Sequence, residues 1–402
     1  MWRYEFYSEN RETIFLDELM VKTKEDILLQ KKAQETLDQF LSVPQMRSLY
    51  EIPQTPVFHA EGPFVKDHLK LMLVSLFAIL EGKIILRDIE ELARLKGFEG
   101  EIEEMQETIC EQAATLECFI LCHDLGKALT ISFKARPGSD GDSLGFQSPW
   151  VDLWHPSCKN SKQQMLLKKY QELYQKFADE RPQLHPMDCQ AEFFSAYQID
   201  IHYHGHAHAI FHPNFVSTIS QVTESRRLSS QKCDELMSLI ALHLEPLYQF
   251  ESKVNTNTFE HLVSYAKKHG HDADDFLDLL QAAVLLDAVF GSMRRDAHRS
   301  WHESSVITYF LRSEYLTIPG KQEERIHLRE QKQKERLQER FRFFELDGNS
   351  IMSLLKMSPG VSFGTVLHQI QDAAIGKGTL PDLSDDVRRE IERRITLFRF
   401  TK

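Results

Sequence analysis

Three things are scarce in this chain of 402 residues: paired cysteines, long apolar runs and strand-like alternation. The six cysteines (Cys110, Cys118, Cys122, Cys158, Cys189, Cys233) form no Cys-x-x-Cys pair. Cys118 and Cys122 stand four apart, the spacing of one helix face, where reduced thiols pack as small apolar groups rather than as a metal or redox site. The longest apolar run, LMLVSLFAIL at 71–80, is too short for a bilayer, which needs about 20 residues. The opening MWRYEFYSEN lacks the basic-then-apolar order of a signal peptide. These absences predict a chain with no membrane partner, at home in a reducing cytoplasm. There is no Gly-x-Ser-x-Gly elbow, no P-loop and no Gly-x-Gly-x-x-Gly after a strand, so nothing points to serine or cysteine nucleophiles or to a dinucleotide fold. No internal repeat is present either.

A composition of 42% hydrophobic and 27% charged residues fits a soluble globular protein of two or three modules. The net charge of −12 works against unspecific adhesion to nucleic acid or anionic membrane. Helical periodicity dominates: segments 25–50, 66–81, 87–96, 101–122, 162–180, 231–250, 258–268, 274–290 and 322–345 carry apolar residues at three- and four-residue spacing. The expected fold class is all-α. The Gly, Ser and Pro of 134–160 read as a loop. Segment 321–342 reads as a charged helix, with eight Lys/Arg against five Glu and a net of +3. A solvated helix with i,i+4 ion pairs is the simpler reading, and a nucleic-acid-facing strut the functional one.

Against this apolar background one stretch stands out. LCHDLGKAL at 121–129 puts a His and an Asp side by side in what reads as a core helix. An unpaired buried polar group costs about 1–3 kcal/mol and an unpaired charge more, so something must satisfy His123 and Asp124. A bound cation would satisfy both. His68 lies 55 positions upstream at the start of KDHLKLMLVSLF, and Asp287 interrupts LLQAAVLLDAVF with the same burial problem. Between them stand IHYHGHAHAIFHPN, with His202, His204, His206, His208 and His212, and His243 on the apolar face of LMSLIALHLEPL. The expected ligand series is His68, His123, Asp124, His206, His243 and Asp287, with His204 an alternative to His206. A mixed His/Asp set without cysteine suits one or two divalent transition ions (Mn, Fe, Co or Ni) rather than Ca, a Mg-only cage or structural zinc.

The order H…HD…D resembles the HD phosphohydrolase superfamily, named for the doublet. The resemblance implies a helical bundle in which His68, His123, Asp124 and Asp287 hold a divalent cation. It further implies that His206 and His243, with Asp124 bridging, hold a second. HAEGPFVKDHLKLML at 59–73, YHGHAHA at 203–209 and LLDAVFG at 285–291 look like the HD domain of bacterial tRNA nucleotidyltransferases. LDGNSIMSLLKMSPGVSFGTVLHQIQDAAIGKGTL at 346–380 is similar to their C-terminal tail, with Asn349 where that tail has Asp. The nucleotidyl-transfer head is missing: the 50 N-terminal residues are too few, and the GSDGD loop at 138–142 has no strand before it. CCA addition is therefore not expected. The division that follows is a helical extension over 1–50, an HD-type domain over 51–312 with an insertion around 135–195, and the charged helix and tail over 313–402.

The expected activity is hydrolysis of a phosphomonoester or a 2′,3′-cyclic phosphodiester on a nucleotide or an RNA or tRNA end, through a metal-activated hydroxide. Lys127, one turn past Asp124, would face a phosphate or simply lie on the surface. His59 and Glu61 would shape the mouth of the site. Arg294 and Arg295 would neutralise a polyphosphate or RNA backbone, or cap a helix C-terminus. The alternative is an RNA-binding or interaction module that keeps bundle and tail without catalysis. A nucleotide-triphosphohydrolase or alarmone-type enzyme is less well matched by the tail.

Overall fold

The computed structural model describes residues 24–56, 59–89, 92, 99–148, 161–246, 257–292 and 321–400. The fold is all-α with one two-stranded sheet. The chain divides into two compact units, Met1–Thr317 and Ile318–Lys402. In the first, the longer described helices begin with α1 (Lys24–Asp38), α2 (Pro44–Tyr50), α3 (Val65–Leu80), α4 (Glu99–Glu111) and α5 (Ala113–Cys122), followed by a short helical turn at Lys127–Thr130. After them come β1 (Ile131–Ala135), α6 (Ser161–Asp179), α7 (Pro186–Tyr197), β2 (Ile199–Tyr203), α8 (Pro213–Ser225), α9 (Ser230–Leu242), α10 (Asn257–Lys268) and α11 (Ala273–Val284). Among the described residues, no helix is long and apolar enough to cross a membrane.

Helix α5 organises the first unit. Leu116, Cys118, Phe119, Ile120, Leu121 and Cys122 are all fully buried, leaving only a narrow strip with the exposed Ala114 and with Glu117, which pairs with Arg226 at 2.6 Å. A helix apolar over most of its surface must be enclosed by others, and α3, α4, α8, α9 and α11 pack around it. Helix α1 lies against α3, burying Leu29, Ala33 and Leu37.

The element boundaries correct several sequence expectations. The run 25–50 is two helices, because Pro44 lacks an N–H and starts a new helix at its first position. The run 101–122 breaks at Gln112. Of 87–96, only the 3₁₀ turn Leu86–Asp88 and residues 89 and 92 are described. The run 274–290 changes character at Leu285, where α11 passes into a π-helix over Leu285–Phe290. The HD doublet lies past the end of α5, not inside it: the helix stops at Cys122 and His123 is its C-cap.

Segment 134–160 is also more ordered than a loop. β1 pairs antiparallel with β2 in the register Ile131↔Tyr203, Phe133↔Ile201 and Ala135↔Ile199, and a strand therefore does precede GSDGD. Asp140–Ser143 forms a single helical turn, while 149–160 lie outside the described residues. Over this sheet α6 and α7 build an aromatic cluster. The Phe193 ring lies 5.2 Å from Tyr170, 5.1 Å from Tyr174, 5.4 Å from Phe177 and 4.7 Å from Tyr197.

The second unit holds α12 (Lys321–Phe343), α13 (Gly348–Leu355), α14 (Val361–Ala374) and α15 (Asp385–Phe400). It has its own core of Phe341, Leu346, Ile351, Phe363, Ile370, Ile391, Ile395 and Phe398. The Arg340 guanidinium lies over the Phe398 ring at 4.5 Å and donates to the Phe398 carbonyl at 2.6 Å, tying α12 to α15.

Phe193→Ala would remove the hub of the aromatic cluster, a ring only 1% exposed. A loss of about 3–5 kcal/mol is expected. Urea unfolding of the variant against the parent chain measures it, and a change below 1 kcal/mol would mean that the cluster is not a unit of stability.

Candidate metal centre

Three histidines reach the centre of the first unit by the same local device. His123 and His243 are the C-caps of α5 and α9, and His206 sits on the turn after β2. Each donates Nδ1–H to the carbonyl three residues back: His123 to Ile120 at 3.1 Å, His206 to Tyr203 at 2.9 Å, His243 to Ile240 at 2.6 Å. At Ile120 and Ile240 the ring satisfies a helix-end carbonyl that lacks an intrahelical partner, whereas at Tyr203, the last residue of β2, the carbonyl also accepts from the His206 N–H at 3.3 Å. A carbonyl only accepts, so this bond puts the proton on Nδ1 and leaves the Nε2 lone pair free. His68, in the first turn of α3, does the same across the chain, with Nδ1 2.7 Å from the Gly291 carbonyl.

All four Nε2 atoms face two carboxylates. His68 Nε2 is 3.1 Å and His123 Nε2 3.8 Å from Asp287 Oδ1. Asp124 Oδ2 is 3.4 Å from His123 Nε2, and Asp124 Oδ1 is 3.4 Å from His206 Nε2. Two donor groups result, His68–His123–Asp287 and Asp124–His206–His243, with the ligand atoms in each within 4.8 Å of one another. Asp124 touches both. All six residues are buried, none more than 8% exposed.

Ligand atoms about 2.1 Å from a transition ion lie roughly 3.0–3.4 Å apart; the 3.1 Å and the two 3.4 Å separations match this, and the His123–Asp287 separation of 3.8 Å is wider. Nε2 of His68 and of His123 make no aligned hydrogen bond; the short His68–Asp287 contact is an ion pair. Orphaned buried nitrogens at about 1–3 kcal/mol each are costly as core packing and natural as ligands. These buried His/Asp groups could hold a metal ion.

Electrostatics without an ion point the same way. Burial pushes His68 down, but the carboxylates of Asp287 and Glu61 outweigh it and hold its pKa up at about 10. Burial pushes His243 down to about 3 and also lowers His123. Burial alone would raise the two aspartates, yet the surrounding cations and imidazoles hold both below the usual carboxylate range.

The surrounding shell takes up most of the remaining sequence candidates. Glu61 is buried, its Oε1 accepting from His59 Nδ1 at 2.8 Å and lying 3.3 Å from His68 Nδ1. Glu61 thus orients both His59 and His68, as an outer carboxylate does for a metal-bound imidazole. Lys127 is 4% exposed, which excludes the surface alternative; its Nζ is 2.8 Å from Asp124 Oδ2. Of the HGH pair, the centre takes His206, because the turn at Gly205 (φ +72°) leaves His204 exposed and stacked on His202 at 5.6 Å. His212 caps α8, accepting from the Asn214 N–H. Arg294 and Arg295 lie outside the described residues.

Two glycines do work that the sequence reading assigned to neither. A Cβ on Gly291 would lie 2.8 Å from His68 Cε1, so the π-helix can approach α3 only with glycine there. A Cβ on Gly126 would sit on the His206 carbonyl oxygen. Their places in HDLGK and LLDAVFG, next to the ligands, were the available signal.

Gly126→Ala must push the His206 turn outward. Expected are a stability loss of about 1–3 kcal/mol and loss of ion binding at the Asp124–His206–His243 group, read by unfolding and by metal analysis. Unchanged metal content would show that this contact does not position His206.

The pH dependence has two limbs. His243 keeps a neutral form in the fold, so its contribution is lost as pH falls from 6.5 through about 3. His68 keeps a charged form, so its contribution is complete below 6.5 and lost as pH rises through about 10. Chelator-treated protein should therefore melt highest near pH 6.5 and lower at both pH 5 and pH 8.5; a flat profile over that range would contradict the assignment. No family model, no curated protein and no solved structure matches this chain.

Proposed function

We propose that this chain is a metal-dependent phosphohydrolase of the HD type, acting as a phosphomonoesterase or 2′,3′-cyclic phosphodiesterase on a nucleotide or on an RNA or tRNA end. One observation carries the reading. Six buried donors from five separate segments converge, and every histidine among them has its Nδ1 tied to a carbonyl and its Nε2 turned inward. A bundle held only by packing has no use for that arrangement, and neither has an RNA-binding module without catalysis.

The donor chemistry favours Mn, Fe, Co or Ni. His68, His123, Asp124 and Asp287 would hold one ion; His206, His243 and a bridging Asp124 would hold the other. Bound ions of this kind lower the pKa of a bound water toward neutrality and polarise a phosphoryl oxygen. The chain's own side chains would do the rest. The carbonyl-tied rings keep their orientation with little reorganisation. Leu125 and Phe119, both fully buried, keep bulk water from the rear of the site. Lys127 supplies positive charge beside Asp124, and His59, held by Glu61, lines the approach to His68, with the two rings edge-on at 4.9 Å. The RNA-end substrate class rests on the resemblance of 346–380 to the tail of tRNA nucleotidyltransferases.

The test is purified protein with Mn or Ni, assayed on nucleoside monophosphates, 2′,3′-cyclic phosphates and tRNA ends, beside Asp124→Asn. Turnover that falls at least about 100-fold in the variant is expected, since one substitution touches both donor groups. No turnover on any of these substrates, together with salt-dependent tRNA binding, would favour the RNA-binding alternative instead.

A further inference from the structure

The histidines of 202–212 are not exhausted by His206. In β2, Ile199 and Ile201 are buried, so period-two alternation turns Asp200 and His202 to the outer face. His204, exposed just past the strand end, joins His202 there, the two rings stacked at 5.6 Å between centroids and 21° between planes. Ligand rings of the centre are spaced alike, 5.4 Å for His68–His123 and 5.6 Å for His206–His243. Rings so spaced reach one ion, and the broad χ2 torsion of histidine lets each turn a nitrogen toward it. The strand beneath is fixed, since the His202 carbonyl accepts from the Ser132 hydroxyl at 3.3 Å. Lys134 stands opposite Asp200 in register, and among the described residues no third donor completes a set with the two imidazoles. Water would fill the other positions of an ion bound there, which makes the ion easy to release. From this pair the chain leads straight to the centre. His204 and His206 flank Gly205, with Cα atoms no more than about 7 Å apart. Of the four ligand imidazoles, His206 keeps the most contact with solvent, 7% against 0% for His68 and 1% for His123 and His243. Asp287, at 8%, gives the other donor group its own contact with solvent.

We propose that His202 and His204 form an outer site that captures a divalent transition ion and passes it to Asp124–His206–His243 past the Gly205 turn. This rests on reading the buried donors as a metal centre. Imidazole donors suit ions such as Ni and Fe and suit Mg or Ca poorly, so the pair collects the same class of ion as the centre. Transfer exchanges ligands only: the ion leaves the outer imidazoles and water, and gains His206 Nε2 and its buried partners. Capture changes rate, not affinity. An ion held at the pair meets His206 within the same molecule, at an effective concentration on the order of millimolar. In dilute solution it would have to arrive by collision. Final occupancy of the centre depends only on the centre's own ligands. Removing the pair therefore slows filling at low ion concentration and leaves the endpoint unchanged.

The test is Ni²⁺ uptake by the chelator-treated full chain, for the parent, the double variant His202→Ala/His204→Ala and, as a control, His208→Ala. Circular dichroism checks that each variant folds. Equilibrium dialysis counts all bound nickel, and metal analysis after a brief chelator wash counts only the buried ions. By dialysis the parent should hold one more ion per chain than the double variant. Filling of the wash-resistant pool at low nickel should slow about tenfold in the double variant, with the same final content. His208→Ala should behave as the parent. Equal dialysis counts in parent and double variant would overturn the outer site itself. A lost outer ion with an unchanged rate of filling would overturn its role in delivery. A lower final content of wash-resistant nickel in the double variant would overturn the proposal as well, by making the pair part of the centre. A parent with no wash-resistant nickel would overturn delivery together with the reading of the buried centre, and the dialysis difference would still decide the outer site.

Discussion

The bond from a histidine Nδ1–H to a backbone carbonyl is what the centre depends on. At His123, His206 and His243 it runs three residues back along the same segment, and at His68 it crosses to Gly291. The bond performs two tasks at once. It engages a backbone carbonyl, at His123 and His243 one that a helix end leaves without an intrahelical partner, and it favours the tautomer whose other nitrogen is a lone pair. Once three such lone pairs, and a His68 ring whose Nε2 keeps a proton beside Asp287 until a cation displaces it, meet two aspartates out of contact with water, the interior contains a cation-shaped demand that apolar packing cannot meet.

The rest of the first unit reads as support for that meeting point. Helix α5 is apolar on nearly every side and so is driven to the middle of the bundle, which carries the following His123 and Asp124 there too. The π-helix at Leu285–Phe290 inserts Asp287 where an α-helical continuation of α11 would rotate it elsewhere, a use often made of π-turns at functional sites. Gly126 and Gly291 permit backbone approaches that any side chain would block. Charge is balanced within the same space: the His68 imidazolium faces Asp287, and the Lys127 ammonium faces Asp124. Both carboxylates are thereby kept ionised in a dry interior, ready for a stronger cation.

Much of the helical content was legible, because apolar residues at three- and four-residue spacing leave a helix few alternatives. The candidate donors were legible for a different reason: a polar residue inside an apolar run is anomalous, and His68, His123, Asp124, His243 and Asp287 all stand in such runs. Where the anomaly signal fails, so does the reading. In IHYHGHAHA every second residue is a histidine, and nothing local distinguishes His204 from His206; the φ of Gly205 and the carbonyl of Tyr203 do. The sheet was missed because each strand is five residues and β1 follows directly on a helical turn, too short for alternation to show.

The sequence by itself determined the all-α class, the apolar α5, and the residue types able to bind a cation, since these follow from local composition and periodicity. Only the tertiary structure decided which histidine of 202–212 turns inward, that the doublet caps a helix rather than interrupting one, and that Lys127 is buried on Asp124 instead of free in water. Those outcomes depend on contacts between residues up to 223 positions apart, as for His68 and Gly291. A local pattern carries no record of such distances.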